Sequence, residues 1–459
     1  MNHIEKKFIE STWFALKGKP ADLTLLSLCG EPQGLSSKYE VSSFAASAVA
    51  IANLSVATLL NEKMERPIFS KVEVSRTHAC ASFICDRLAT PIDWKFDQDP
   101  FDVSGNYKTK DGWIRIHTMY HHHLSAVLQA LGCNANRAIV ADMISQWKSS
   151  DLEMEIANKG GAAAMLRRPE EWSSHPHSQF VDTELLFRYS SSNLTRGESP
   201  FLERPFLRDR PLEGLRVLDL TRVLAGPIGA RFLASYGADV IRVDPPGFIE
   251  SNQLLIETTR GKRTVGIDLR DTTGRKQFED LLRSADVLIH GYRTDAMERL
   301  GYGLNDIHKM NPHLVTVRHN AYGWSGPLNG RRGFDSLIQM NTGIAFDIEH
   351  SAPKPLPAQA LDYATGYLIA SAALKGLTSK YVETKLSLVR VAQLLISLGQ
   401  DGDTNMKPFQ LNDEYFTHEK SFWGLAKQLR CPGMIDDVTP HWIGGATVIG
   451  QAGQINWLA

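Results

Sequence analysis

The sequence predicts an α/β protein, with a doubly wound parallel sheet in the second half of the chain and a smaller α+β unit ahead of it. Three observations carry that expectation. From Leu215 onward, short β-branched runs alternate with helical segments. Before about residue 200 the pattern is helical around one hairpin signal. Between the two, Ser190 to Leu212 is polar and contains Pro200, Pro205 and Pro211, the composition of an extended connector. The expected organisation is an N-terminal helical and small α+β domain over 1–200, a sheet domain over 201–390 and a helical or irregular tail over 391–459. A chain of 459 residues has room for two or three domains of about 100–200 residues each.

In the first domain, Ala45 to Leu60 places Ala, Val, Ile and Leu at helical spacing. Gly105 to Ile116 reads as a hairpin that turns at Asp111-Gly112, and a helix from about His122 to Leu131 is stopped by Gly132. In the second domain the expected strands are Leu215–Leu220, Val240–Val243, Thr264–Leu269, Val287–His290 and Leu314–His319, and Asp362 opens the Ala-rich helix Tyr363–Leu377. A faint internal repeat relates Lys71-Val-Glu-Val-Ser75 to Glu383-Thr-Lys-Leu-Ser387, each between an Ala-rich helix and an apolar one. Ala45 or Ala46 stands roughly where the second copy has Asp362, so only one copy is armed.

Composition narrows the function. Lys+Arg 50 against Asp+Glu 51 leaves no excess charge, which argues against nucleic acid or an anionic membrane as the main partner. The five cysteines, Cys29, Cys80, Cys85, Cys133 and Cys431, are scattered and form no C-x-x-C pair, which suits a reducing compartment. Charges at Glu5, Lys6, Lys7 and Glu10 interrupt the N-terminus, and no run reaches the ~20 apolar residues of a membrane span. The expected location is cytoplasmic.

The chemistry must then come from local motifs. In Leu215-Arg-Val-Leu-Asp-Leu-Thr-Arg-Val-Leu-Ala-Gly-Pro-Ile-Gly-Ala230 a strand turns into a helix whose free amides suit phosphate or carboxylate, although an ordinary strand-to-helix turn reads the same way. Gly226-x-x-Gly229 falls short of a dinucleotide fingerprint, with Asp244 about where a ribose-binding acid would lie. Arg242, Lys262, Arg263, Arg270, Arg293, Arg299, Arg331 and Arg332 fall near the expected carboxyl ends of the strands, where anions bind in open α/β sheets. Local sequence favours Asp362 as an ionised helix cap. The consecutive His121-His122-His123 cannot converge on one metal, and no metal site is expected.

Taken together, Pro211-Leu-Glu-Gly-Leu-Arg-Val-Leu-Asp-Leu-Thr-Arg-Val-Leu-Ala-Gly-Pro227, Gly237-Ala-Asp-Val-Ile-Arg-Val-Asp-Pro-Pro-Gly247, Arg260-Gly-Lys-Arg-Thr-Val-Gly-Ile-Asp-Leu269, Asp286-Val-Leu-Ile-His290 and Arg332-Gly-Phe-Asp335 resemble the class III coenzyme A transferases. That family also contains α-methylacyl-CoA racemases. The likeness covers about 206–390. A weaker one over about 65–185 resembles the family's later, small-domain part, here placed ahead of the coenzyme-binding part, as though the order were permuted or a fused double enzyme trimmed.

The resemblance implies a Rossmann-like CoA-binding domain, an acyl-CoA and a small carboxylic acid as substrates, and no tightly bound cofactor. Carried over by position, the nucleophile falls on Asp362, and coenzyme A contacts fall on Val223, Leu224, Ala225, Ile267, Arg270, Tyr292, Arg299, Leu300 and Arg332. Gly291 replaces an Asn of the formyl-transferring members and Leu224 replaces a Gln, so a more apolar acyl group is expected. Phe334 stands where the racemases have a second base, which favours transfer over racemisation. The loop Tyr322-Gly-Trp-Ser-Gly-Pro327 is expected to close the site against water. The family's Gly-rich lid is assigned to Gly160-Gly161 and its quaternary form to an interlaced homodimer or a pseudo-dimeric monomer. A catalytically decayed CoA-binding relative is the remaining alternative.

Overall fold

A computed structural model of the chain describes all residues except 98–102, 191–195, 294, 453–454 and 459. Part of the expected Ser190–Leu212 connector therefore lies outside the described residues.

The N-terminal part is built around helix α1 (Val41–Lys63), whose residues from Val41 to Leu60 are all buried. It is long and apolar enough to cross a membrane by length and composition, which corrects the expectation that no run was. In the fold it is wrapped by the helix His3–Ala15 and by a sheet in which Val72–Ser75 pairs parallel with Leu26–Cys29 and antiparallel with Met434–Ile435. A second small unit follows. Its hairpin joins Gly105–Lys108 to Trp113–Ile116 around the expected Asp111-Gly112 turn, and Ala163–Met165 adds a third strand. Helix α2 (His121–Leu131) ends on Gly132 at φ 65°, a left-handed cap that glycine adopts without a Cβ penalty.

The large sheet has seven strands: β1 (Arg188–Ser190), β2 (Arg216–Leu220), β3 (Asp239–Asp244), β4 (Lys262–Gly266), β5 (Val287–His290), β6 (Val315–Asn320) and β7 (Glu383–Ser387). Their order across the sheet is β4-β3-β2-β5-β6-β7-β1, with all pairs parallel except the last. The six parallel strands thus follow the order 3-2-1-4-5-6 of a doubly wound sheet, and the strand order reverses between β2 and β5. Ligands of such sheets bind outside the carboxyl ends at that switch point. Edge strand β1 lies on the N-terminal side of the expected connector yet completes the sheet of the second half.

Lys262 and Arg263 lie within β4, at the amino end of the sheet, and not in a loop at its carboxyl edge. The buried Lys262 Nζ donates to Asp219 Oδ2 (2.7 Å) and to the Pro227 carbonyl (2.8 Å), and Arg263 pairs with Asp239 at 2.6 Å. Arg242 is also fully buried and bridges Asp244 and Glu250 at 2.7 and 2.9 Å. Burial of charge is tolerated only with such pairing, so these cations are structural. The faint repeat has a counterpart in the fold, because Ser75 and Ser387 each end a strand and accept a hydrogen bond from the amide three residues on, His78 N and Arg390 N. Beyond Ser397 the tail forms the hairpin Phe416–Lys420/Leu425–Leu429, which pairs with Thr90–Pro91 on the N-terminal part.

Candidate active site

Helices α3 (Ala225–Ser235), α4 (Asp335–Asn341), α5 (Ala360–Thr378) and α6 (Leu388–Ser397) surround the switch point. Helices α3 and α5 cross with their backbones in contact. A Cβ on Gly366 would lie 2.7 Å from the Ala225 carbonyl and 2.9 Å from Ile228 Cβ, and one on Gly229 would lie 2.6 Å from the Gly366 carbonyl. Only glycine allows that approach. It brings Asp362, one turn before Gly366, beside the loop Val223-Leu224-Ala225.

Asp362 is buried, and among the described residues its carboxylate accepts no hydrogen bond. The cap expected of it is supplied from elsewhere: Asp335 Oδ2 accepts from Leu361 N at 2.8 Å and from Asp362 N at 3.0 Å. This corrects the reading of Asp362 as an ionised cap. Burial, and then the charge of Asp335, push the Asp362 carboxyl well above the usual carboxylate range. Burial also raises Asp335 to about 6, against the pull of the donors it accepts, Asp362 N, the Gln339 side chain and Leu361 N. The two acids titrate as a pair, and the freer one faces the cavity.

That cavity, of about 190 Å³, is lined by Leu220, Arg222, Val223, Leu224, Ala225, Gly291, Tyr292, His319, Phe334, Asp362 and Leu388 among others. It continues into a second space of about 310 Å³ bounded by His122, His123, Phe248, Arg293, Tyr322 and Arg332. Tyr120 borders both, so the N-terminal small unit roofs the pocket of the second half. Of the expected coenzyme contacts, Val223, Leu224, Ala225, Tyr292 and Arg332 are thus brought together with Asp362. Ile267 packs in the apolar core with Val243 and Phe278, and Leu300 packs against that core. Arg270 and Arg299 are exposed and paired with Asp268 and Asp295. These four follow β4 and β5 outside the cavity.

Electrostatics divide the pocket. Around Asp362 the walls are mostly apolar, whereas the outer space is cationic. Arg293 and Arg332 have no ion-pair partner among the described residues, and burial and then Arg293 lower the Arg332 pKa. Arg222 lies at 3.4 Å from Asp244 and over the Phe248 ring at 4.1 Å, so Asp244 is held by arginines and not left for a ribose. Such a pocket can hold a polyanion at its mouth and place an apolar acyl group against one buried carboxyl. Val223 adopts φ 65°, costly for a β-branched residue, and its amide donates to Glu250 Oε1 at 2.9 Å. That hydrogen bond holds the strained loop in place next to Asp362.

Two lining residues, His319 and Tyr120, carry no local mark in the sequence. Asp335, fully buried beside Asp362, is signalled only by the Arg-Gly-Phe-Asp motif. Phe334, singled out in the sequence, stacks on His117 with ring centroids 3.6 Å apart. The Tyr322–Pro327 loop is anchored, with Trp324 N donating to Glu184 Oε1 at 2.8 Å.

Residues 212–400 match CoA-transferase family III. The resemblance read from the motifs is borne out over that segment. The probable fatty acyl-CoA transferase Rv3272 of Mycobacterium tuberculosis is 32% identical over 205 residues, covering 41% of this chain and 52% of the relative. Succinyl-CoA:glutarate CoA-transferase of Mus musculus is 31% identical over 186 residues, covering 38% of this chain and 43% of the relative. A crystal structure of Rv3272 aligns with 32% identity and a TM-score of 0.38 over 41% of this chain and 56% of that one. The chain spans about half the length of the curated relatives it matches.

Proposed function

We propose that this chain is an acyl-CoA:carboxylic acid CoA-transferase that works through covalent intermediates on Asp362. The observation that carries the reading is that Asp362 and the loop Val223–Ala225 line one cavity at the switch point of the sheet. An Asp362 oxygen attacks the thioester carbon of the donor acyl-CoA; the C–S bond breaks, and a mixed anhydride and the coenzyme A thiolate result. The thiolate then attacks the aspartyl carbonyl carbon and expels the donor acid, leaving an aspartyl thioester. The acceptor carboxylate attacks that thioester and releases the thiolate, which finally takes the acceptor acyl group from the anhydride and restores the Asp362 carboxylate. One thioester is exchanged for another, so no phosphate is consumed.

The elevated proton affinity of Asp362 marks a more basic, more nucleophilic carboxylate once it ionises. The mostly apolar walls exclude the water that would hydrolyse an anhydride and suit an apolar acyl group, in keeping with the name of the mycobacterial relative. Arg293 and Arg332 would hold coenzyme A phosphates, with Ile267, Arg270, Arg299 and Leu300 reached by its far end along the same sheet edge. Gly160, at φ 78° and so close to Arg332 that a Cβ would lie 2.8 Å from its Nη1, supports the lid reading of Gly160-Gly161. The roof provided by Tyr120, His122 and His123 of the same chain favours a self-closed, pseudo-dimeric monomer over an interlaced dimer.

Intact-mass measurement after incubation with a panel of acyl-CoAs tests the reading. An acyl or coenzyme A adduct on the wild type that disappears in Asp362→Asn is the expected result. Exchange of the α-proton for deuterium without any adduct would establish racemase-like chemistry in its place.

A further inference from the structure

Gly291 and His319 interlock in the wall that faces Asp362. Gly291 directly follows β5, and a Cβ there would lie 2.6 Å from His319 Nε2, a distance that real Cβ atoms essentially never show, and 3.0 Å from its Cε1. The imidazole therefore occupies the volume that a side chain at 291 would take. Apart from Asp362 itself, the polar side chains Asn320, Tyr120 and Arg222 of this cavity are committed within the protein. Asn320 bonds both ways with Gly323, Tyr120 donates to Glu250 at 2.9 Å, and Arg222 pairs with Asp244. His319 Nε2 is buried without a hydrogen-bond partner among the described residues. Burial lowers the His319 pKa to about 4 against the raising influence of Asp219, so the ring is neutral near pH 7 and one nitrogen carries a proton to donate. A buried polar atom left unsatisfied is costly, and a ligand group that completes it is recognised strongly.

We propose that His319 donates a hydrogen bond to the thioester carbonyl oxygen and so holds the acyl-CoA in place against Asp362, taking the place of the side chain that Gly291 lacks. The proposal rests on the reading of the cavity as an acyl-CoA site and adds to it a residue that positions the thioester carbonyl.

The test is equilibrium binding by calorimetry of two probes that cannot react: free coenzyme A, and acetyl-carba-dethia coenzyme A, a ketone that keeps the carbonyl in place. His319→Ala should weaken the ketone about three- to tenfold, the worth of one buried hydrogen bond, and change free coenzyme A less than twofold. His319→Gln, which keeps a donor, should recover part of the loss. Gly291→Asn should weaken both probes by steric conflict, and adding His319→Ala to it should relieve that conflict, giving a non-additive pair. Equal losses for both probes in His319→Ala, no loss for either, or full tolerance of Gly291→Asn beside an intact His319 would overturn the proposal. Because the probes undergo no transfer, the binding ratio stands even where Asp362 forms no adduct; a wild type that binds neither probe refutes this proposal and the function together.

Discussion

Replacing Asp335 separates the two effects it has on the site. Its Oδ2 accepts from the amides of Leu361 and Asp362 at 2.8 and 3.0 Å, both inside a buried helix end. Asp335→Ala leaves those donors without an acceptor, at about 1–3 kcal/mol for a buried unsatisfied group and ~0.5–2 kcal/mol for a lost helix cap. Relief of one buried carboxylate offsets part of this, so the expected net loss is ~2–3 kcal/mol, or roughly 2–3 °C in Tm for a chain of 459 residues. Asp335→Asn keeps an oxygen acceptor and removes the charge, so its stability loss should stay below ~1 kcal/mol. Its main effect is on Asp362, whose ionisation moves to lower pH because the neighbouring negative charge is gone. Denaturant unfolding reads the first effect. Infrared difference spectra of the carboxyl band, with Asp362→Asn as reference, read the second. An Asp335→Ala variant as stable as the wild type, or an Asp335→Asn variant in which Asp362 titrates where it did before, would refute the reasoning.

Three further outcomes are expected. The folded state raises the pKa of both acids, so it binds their protons more tightly than the unfolded chain does; their contribution to stability is full below the ordinary Asp pKa near ~3.9 and is lost as pH rises through the pair's titration, to about 6 and beyond. Asp362→Asn should accordingly melt higher than the wild type at pH 7 while losing all transfer, and the difference should vanish near pH 3; an equal or lower Tm at pH 7 counts against it. Arg332→Ala should raise KM for acyl-CoA about tenfold or more with kcat nearly unchanged, a shift that added salt reduces in the wild type as well; steady-state kinetics at two ionic strengths check it. Gly366→Ala should force α3 and α5 apart at the Ala225 carbonyl, cost about 1–3 kcal/mol and lower kcat, as thermal unfolding and kinetics on the same preparation would show.

Local pattern made much of this chain legible. The alternation after Leu215, the hairpin at Asp111-Gly112, the Gly132 stop and the placement of Asp362 at the head of an Ala-rich helix all depend on neighbours in sequence, where periodicity and turn chemistry act. The family motifs added the loop Val223–Ala225, Tyr292 and Arg332, which the fold gathers around one cavity. What sequence could not supply was pairing across distance. Whether Lys262 binds phosphate or Asp219 depends on β4 and β2 lying on either side of β3 in one sheet, and whether α1 meets lipid or protein depends on what wraps it, since a buried core helix and a membrane helix share the same composition.

The sequence by itself determined the element types, their alternation and the place of Asp362 at the head of an Ala-rich helix, because those follow from backbone propensity and from patterns among neighbouring residues. Only the tertiary structure decided that Asp335 and not Asp362 caps the helix, that His319 fills the space left by Gly291, and that the N-terminal unit roofs the pocket. Each of those is a matter of burial and contact between segments far apart in the chain, and neither quantity exists until the chain has folded.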